Sequence, residues 1–188
     1  MNLVSRITLL LSAILLGACS KTVQWEEEVP LNTGEVIWVK RTDTFIRRSE
    51  PGNPLQMGWW PNGRAYKFSW RGQDYAYEVK GVSTGPILLH VYPEEKTAAL
   101  VDSGWPTCSG YGEFRWIRGG WQLQSNINPA LIRQPRNLMD YYSAEDGAIP
   151  ARVTQEFIRN SRFDLPQNGG SLSHLPASKI ATNCSGSK

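Results

Sequence analysis

Three cysteines and two histidines are the side chains here most able to carry chemistry, and their surroundings limit what each can do. Cys19 closes the apolar run Ile7-Thr8-Leu9-Leu10-Leu11-Ser12-Ala13-Ile14-Leu15-Leu16 and the small pair Gly17-Ala18. Cys108 and Cys184 remain for each other. In an oxidising compartment two such thiols pair as a disulfide, and closing so long a loop stabilises by roughly 4 kcal/mol in the chain-entropy model. Two free thiols, one of them reactive, is the other reading. His90 lies in the most apolar stretch and His174 in a Gly/Ser-rich tail. Neither has a His, Cys or carboxylate at the short spacing of a zinc site, so no metal and no cofactor is expected. A Cys108/His90 nucleophile pair is conceivable across strands, but a disulfide would use up the thiol. Ser109-Gly110-Tyr111-Gly112 lacks the strand–turn–helix setting of a nucleophile elbow. Glu94-Glu95 and Glu145-Asp146 fall in turn-like stretches, whereas a glycosidase needs carboxylates opposed across a cleft. Glycine-rich phosphate loops are absent.

What stands before Cys19 gives it a more definite role. One positive charge, Arg6, precedes an apolar run of ten residues, too short for the roughly 20 that cross a bilayer as a helix. Charge, apolar core and small-residue exit together read as a secretory signal. Leu16-Gly17-Ala18-Cys19 resembles the lipobox read by lipoprotein signal peptidase. The resemblance implies that residues 1–18 are removed, that the Cys19 thiol carries a diacylglycerol, and that its freed amine is often acylated too. Two or three acyl chains, at ~0.8 kcal/mol per buried CH₂, meet the need for two signals in stable anchoring. Ser20 stands where an Asp would favour inner-membrane retention, which implies the outer membrane, facing the periplasm. An ordinary secretory signal ending in a chance cysteine is the plainer alternative.

Composition bounds the remainder. Removing residues 1–18 takes only Arg6 from the 20 Lys+Arg, leaving 19 against 17 Asp+Glu. Such a balance gives no footprint for nucleic acid or a charged polymer. Eight Trp, seven Tyr and five Phe, with 17 Gly and 12 Pro, suit short strands separated by turns. The length suffices for one domain with its own core.

Along the chain, residues 19–33 read as a lipid-anchored tether, with Glu26-Glu27-Glu28 as a solvated face. The pattern Trp25-x-Glu27-Glu28-Val29-x-Leu31-x-x-Gly34-x-x-Ile37-x-Val39-x-Arg41 resembles the start of uncharacterised proteobacterial lipoproteins. That resemblance covers about the first quarter and brings no activity with it. A β-rich domain is expected over 34–165 and a flexible tail over 166–188. Gly34–Arg41 is a β-branched run, and 46–63, rich in Pro, Gly and Asn, reads as a loop.

Three hairpins follow. With a turn at Arg71-Gly72, residues summing to 143 face one another. Tyr66, Phe68 and Trp70 then share a face with Tyr75, Tyr77 and Val79, while Lys67, Ser69, Asp74, Ala76, Glu78 and Lys80 take the other. Such period-2 alternation marks a half-buried antiparallel pair. Ile87–Tyr92 and Thr97–Val101 are apolar on both faces, as at the centre of a covered sheet, and Pro93–Lys96 turns between them. The third hairpin turns at Gly119-Gly120. It puts Phe114, Trp116, Trp121 and Leu123 on one face, and Arg115, Ile117, Gln122 and Gln124 on the other. The fold is therefore expected to be mainly β, an antiparallel meander that is either a curled sheet or a small open barrel. One C-terminal helix is expected over about 150–163, with Pro150 at its first position. It would turn Val153, Phe157 and Ile158 to the sheet and pair Glu156 with Arg152.

With no catalytic constellation in view, recognition is the leading function. Trp59 and Trp60, between Gly58 and Pro61, and Trp105 beside Cys108 are the candidate ligand-binding residues, since flat rings give contact area at little entropic cost. Burial of the Trp59/Trp60 pair at one end of a barrel is the competing reading. Arg115, Arg118 and Arg133 read as solvated faces. The membrane is one expected partner and an envelope protein or glycan the other. The plan (lipobox, tether, small β domain, one disulfide) is similar to membrane-bound lysozyme inhibitors in architecture, without their sequence motif. An envelope hydrolase acting on cell wall or lipid, and a structural component of an envelope assembly, are the alternatives.

Overall fold

A computed structural model of the chain describes residues 20–50, 52–81, 85–103, 111–139 and 148–160. Cys19, Trp105, Cys108, His174, Cys184 and residues 166–188 lie outside the described residues, and with them the expected anchor, disulfide and tail. The described chain is mainly β, in two open sheets. Strands β1 (Ser20–Pro30), β2 (Val36–Glu50), β3 (Asn53–Trp70) and β4 (Gln73–Lys80) form the first sheet. Its order is β4-β3-β2-β1, completed by the short β9 (Arg152–Val153) parallel to β1. Strands β5 (Pro86–Tyr92), β6 (Thr97–Ser103), β7 (Tyr111–Ile117) and β8 (Gly120–Leu123) form the second sheet in sequence order. Two short helices complete it, α1 (Pro129–Ile132) and α2 (Gln155–Asn160). No closed barrel forms among the described residues; the meander is divided between two sheets instead.

The β3–β4 hairpin has the expected register, from Trp70 opposite Gln73 to Arg64 opposite Val79. Arg71 and Gly72 both have positive φ, 49° and 78°, the geometry that lets a two-residue turn follow the strands' twist. The β7–β8 turn falls one residue earlier than expected, on Arg118 and Gly119 at φ 52° and 83°. Parity is unchanged, so the two faces are those read from the sequence.

Tyr66, Phe68, Trp70, Tyr75 and Tyr77 of the first sheet meet Leu89, Val91, Ala98, Leu100 and Phe114 of the second. Aromatic rings make the contact: Tyr75 lies 5.4 Å from Trp116, and Tyr77 lies 5.4 Å from Phe114 and 5.6 Å from Trp121. Each such pair adds about 0.5–1.5 kcal/mol beyond its buried area. The other face of the second sheet is closed by Ile127 and Leu131, which pack on Ile87, Leu88, Ala99 and Val101.

Several segments differ from expectation. Residues 20–30, read as tether, are β1, with Trp25, Glu27 and Val29 buried on alternate positions. Residues 46–63, read as loop, are the ends of β2 and β3, paired out to Glu50 opposite Asn53. A bulge makes this possible: Thr44 faces Gly63 and Phe45 faces Pro61, so Asn62 is the extra residue. Gly63 suits this close approach, since a Cβ would come within 3.1 Å of Thr44 Oγ1 and 3.2 Å of the Val79 carbonyl oxygen. The helix expected from Pro150 starts only at Gln155, with the Thr154 hydroxyl accepting from the Phe157 N–H. Arg152 precedes it and pairs with Glu26 at 3.0 Å rather than with Glu156.

β5 was expected at a sheet centre but lies at an edge. Two asparagines take the place of the missing strand. Asn137 Oδ1 accepts from Leu89 N at 2.8 Å while its Nδ2 donates to Leu89 O and to Pro30 O, each at 2.8 Å. Asn32 treats Val91 in the same way, accepting from its N–H and donating to its carbonyl at 2.9 Å. An exposed row of backbone donors and acceptors would invite another chain; here the amides satisfy it, so β5 can be apolar on both faces.

Of the acidic triplet only Glu26 lies on a solvated face. Glu28 accepts from the Gln155 N–H at the start of α2, and Glu27 is fully buried. Glu27 Oε2 lies 2.8 Å from Arg41 Nη1, itself fully buried. The same guanidinium donates to the Met139 carbonyl at 2.6 Å and to the Tyr66 hydroxyl at 3.0 Å. Glu27 Oε1 accepts from the Met139 N–H. Register makes Trp25, Arg41 and Tyr66 direct cross-strand neighbours, and the guanidinium is held between their rings, 4.8 and 4.7 Å from the centroids. In the next row Arg64 Nε lies 3.5 Å from Asp43 Oδ2, both buried. Burial alone would weaken proton binding at Arg41, but Tyr66, Glu27 and Asp43 outweigh it and hold the guanidinium above its ordinary value. Burial likewise pushes the Tyr66 hydroxyl up, partly offset by Arg41 and Arg64. Beyond these rows, Trp25, Phe45, Met139, Val153 and Ile158 form a separate apolar cluster.

Candidate ligand-binding face

Alternation in the first sheet turns one side chain in two away from the core. On that outer face the register aligns Arg152, Glu26, Lys40, Lys67 and Ala76 in a single row across five strands. Lys40 and Lys67 are direct neighbours, so the centre of the face carries two adjacent positive charges. Beside them stands Trp38, 39 % exposed although Ile37 and Val39 on either side turn inward. The Arg152 guanidinium lies 4.9 Å from the Trp38 ring centre, which holds the ring at one side of the face.

An open groove of about 480 Å³ runs from Trp38 over Lys67, Ser69, Asp74 and Ala76 to Trp116 of the second sheet. Its polar wall is a cross-strand pair: Ser69 faces Asp74, and the hydroxyl donates to the carboxylate. Trp121 fixes the far side by donating its indole N–H to the Ala76 carbonyl at 2.7 Å, binding the second sheet to the edge of the first. Tyr75, which also lines the groove, is 2 % exposed, and its hydroxyl makes no hydrogen bond among the described residues. Burial raises that hydroxyl's pKa, so it stays protonated and able to donate. The groove thus offers a flat ring for stacking, a carboxylate that accepts from hydroxyls, and ammonium groups for an anion.

The residues singled out from the sequence are placed elsewhere. Trp59 faces Arg47 on the inner side of the β2–β3 extension and packs against the second apolar cluster. Trp60 faces Ile46 on the opposite side; both tryptophans are half-buried, and neither closes a barrel. Trp105 lies outside the described residues. His90 is buried against Tyr92 with ring centres 4.7 Å apart, and burial lowers its pKa. On the same face Glu113 accepts from Arg115 at 3.1 Å, from Tyr92 at 3.3 Å and from the Asn128 N–H at 2.7 Å. Arg115 also covers the Tyr92 ring at 4.3 Å, so it is part of a packed network that ties residue 128 to the sheet, not a solvated cation. Arg118 and Arg133 are exposed as expected. Among the described residues no three His, Cys, Asp or Glu side chains are grouped to hold a metal.

Trp38, Lys67, Ser69 and Asp74 were not singled out as a site. The available signal was Trp38 itself, an aromatic out of phase with its inward neighbours. Its relation to Lys67 and Asp74 required the register of three strands. No family model, curated protein or solved structure matches the chain.

Proposed function

We propose that this protein is a lipid-anchored envelope lipoprotein whose β domain is a non-enzymatic binding module, with the groove at Trp38 as its ligand site. The observation that carries this reading is the groove itself. An exposed indole, a Ser69–Asp74 pair and Lys67 line one open channel, with Lys40 beside Lys67 in the next strand. That combination suits a sugar ring bearing a carboxylate, as in cell-wall glycan fragments. The ring stacks on Trp38, its hydroxyls donate to Asp74, and its anion meets the lysines. The lipobox at Leu16–Cys19 supplies the location, holding the domain at the membrane beside the wall.

Two measurements test the two halves of this reading. Acyl labelling of the chain should be abolished by Cys19→Ser, and labelling that persists removes the anchor. Titration of the domain with soluble muropeptides should perturb tryptophan emission, with affinity lowered about five- to ten-fold by Trp38→Ala. Lys67→Ala should weaken acidic fragments more than neutral ones. Emission that no fragment changes, or binding indifferent to Trp38, defeats the groove assignment.

A further inference from the structure

The extension of β2 and β3 beyond the rest of the first sheet has a definite direction. β1 begins at Ser20 opposite Ile46, and β2 and β3 continue past that point to the turn after Glu50. Four more residues of β2 reach about 13 Å beyond the first residue of β1 at the usual strand rise. Because β1 and β2 are antiparallel, the arm extends past the N-terminal end of β1 at Ser20.

The arm's side chains change in order toward its tip. At the root stand Trp59 and Trp60, half-buried, with Arg47 and Arg48 exposed opposite Trp59 and Gly58. Further out is Met57 at 48 % exposed, and at the tip Leu55 at 93 %. Apolar tip, tryptophan root and flanking arginines form the sequence of polarities found across a membrane interface, where indoles occupy the headgroup level and cations meet anionic lipid. The arm carries two arginines against Glu50 alone, so its charge complements an anionic surface.

We propose that the β2–β3 arm rests on the bilayer, with Leu55 and Met57 in the acyl boundary, Trp60 at headgroup level and Arg47 and Arg48 on anionic phospholipid. The inference rests on the lipoprotein reading above, because the lipid on Cys19 holds the arm's root at the surface. It adds an orientation: the arm is a second point of contact that fixes how the domain stands on the membrane.

The first test is flotation of the Cys19→Ser chain with phosphatidylethanolamine/phosphatidylglycerol vesicles and with phosphatidylcholine vesicles. Binding to the anionic vesicles alone, weakened by salt, is expected. Arg47→Gln with Arg48→Gln should lower it about thirty-fold, from roughly five-fold per removed arginine at the surface. Leu55→Ser with Met57→Ser should lower it as well. All four side chains are exposed, so circular dichroism should show these variants folded. In the acylated full chain, bromine-labelled lipid should quench an emission component that Trp60→Phe removes. Absence of that quenching in a chain labelled at Cys19 overturns the arm contact and leaves the anchor standing. Flotation without labelling supports the arm and removes the anchor. A dimer that forms without lipid and dissolves on Leu55→Ser and Met57→Ser assigns the arm to a second copy and overturns the proposal.

Discussion

Replacing Arg41 by Met should lower the free energy of unfolding by about 3–5 kcal/mol, the cost of leaving a buried charge without its partner. Glu27, fully buried, would keep its carboxylate with only the Met139 N–H as donor. The Met139 carbonyl and the Tyr66 hydroxyl would lose the guanidinium, and Trp25 and Tyr66 would lose the group between their rings. The double variant Arg41→Met/Glu27→Leu should recover part of the loss, since removing both charges leaves no ion to desolvate. Recovery stops short of the parent because the Met139 N–H then lacks an acceptor, at about 1–3 kcal/mol. Urea midpoints at constant slope measure both. A loss below about 1 kcal/mol for Arg41→Met would mean that water reaches the pair, as for exposed ion pairs.

Asn137→Ala should cost about 2–4 kcal/mol, because a single amide satisfies three backbone groups and its removal leaves buried ones unpaired. Leu89 N–H and C=O and the Pro30 carbonyl would all lose their partner. Asn137→Asp should be no better. One carboxylate oxygen can still accept from Leu89 N, but the other would be set against both the Leu89 and the Pro30 carbonyls. Asn32→Ala makes the contrast: that side chain is exposed, water can replace it, and the loss should stay below about 1 kcal/mol. Amide exchange at Leu89 should accelerate in Asn137→Ala and hardly change in Asn32→Ala. Equal effects of the two substitutions would refute the account of the edge.

The parts of the fold that were legible are those where one rule governs a run of residues. Between Arg64 and Val79 every inward position except Gln73, beside the turn, is apolar, aromatic or charge-paired and every outward one is polar or alanine, so face and register followed from parity. The β2–β3 extension was hidden by its own bulge. The extra residue at Asn62 reverses parity, a second shift leaves residues 54–56 without partners, and Gly58 and Pro61 read as breakers although both stay paired. β1 was hidden because a glutamate at an inward position reads as solvated. Only Arg41, fourteen residues on and brought within reach across the strand pair, makes Glu27 an interior residue. The edge position of β5 was invisible for a similar reason: its substitute partners are side chains at 32 and 137. The groove has the same character, since Trp38, Lys67 and Asp74 come from three strands and acquire meaning only together.

The bonds from Glu27 to Met139 and from Pro30 to Asn137 have a consequence for the order of assembly. β1 to β4 are successive hairpins and can pair as soon as they are made, whereas these bonds span 112 and 107 residues. A chain emerging from its N-terminus first therefore pairs β1 to β4 of its first sheet long before the segment that covers them exists. During that interval Glu27, Arg41, Asp43 and Arg64 lie open to water across the middle of the future core. An all-apolar strip at those positions would be a template for association with other unfinished chains. Four charges there keep the waiting strands in solution, and Glu27 and Arg41 gain their last partners only when residue 139 arrives.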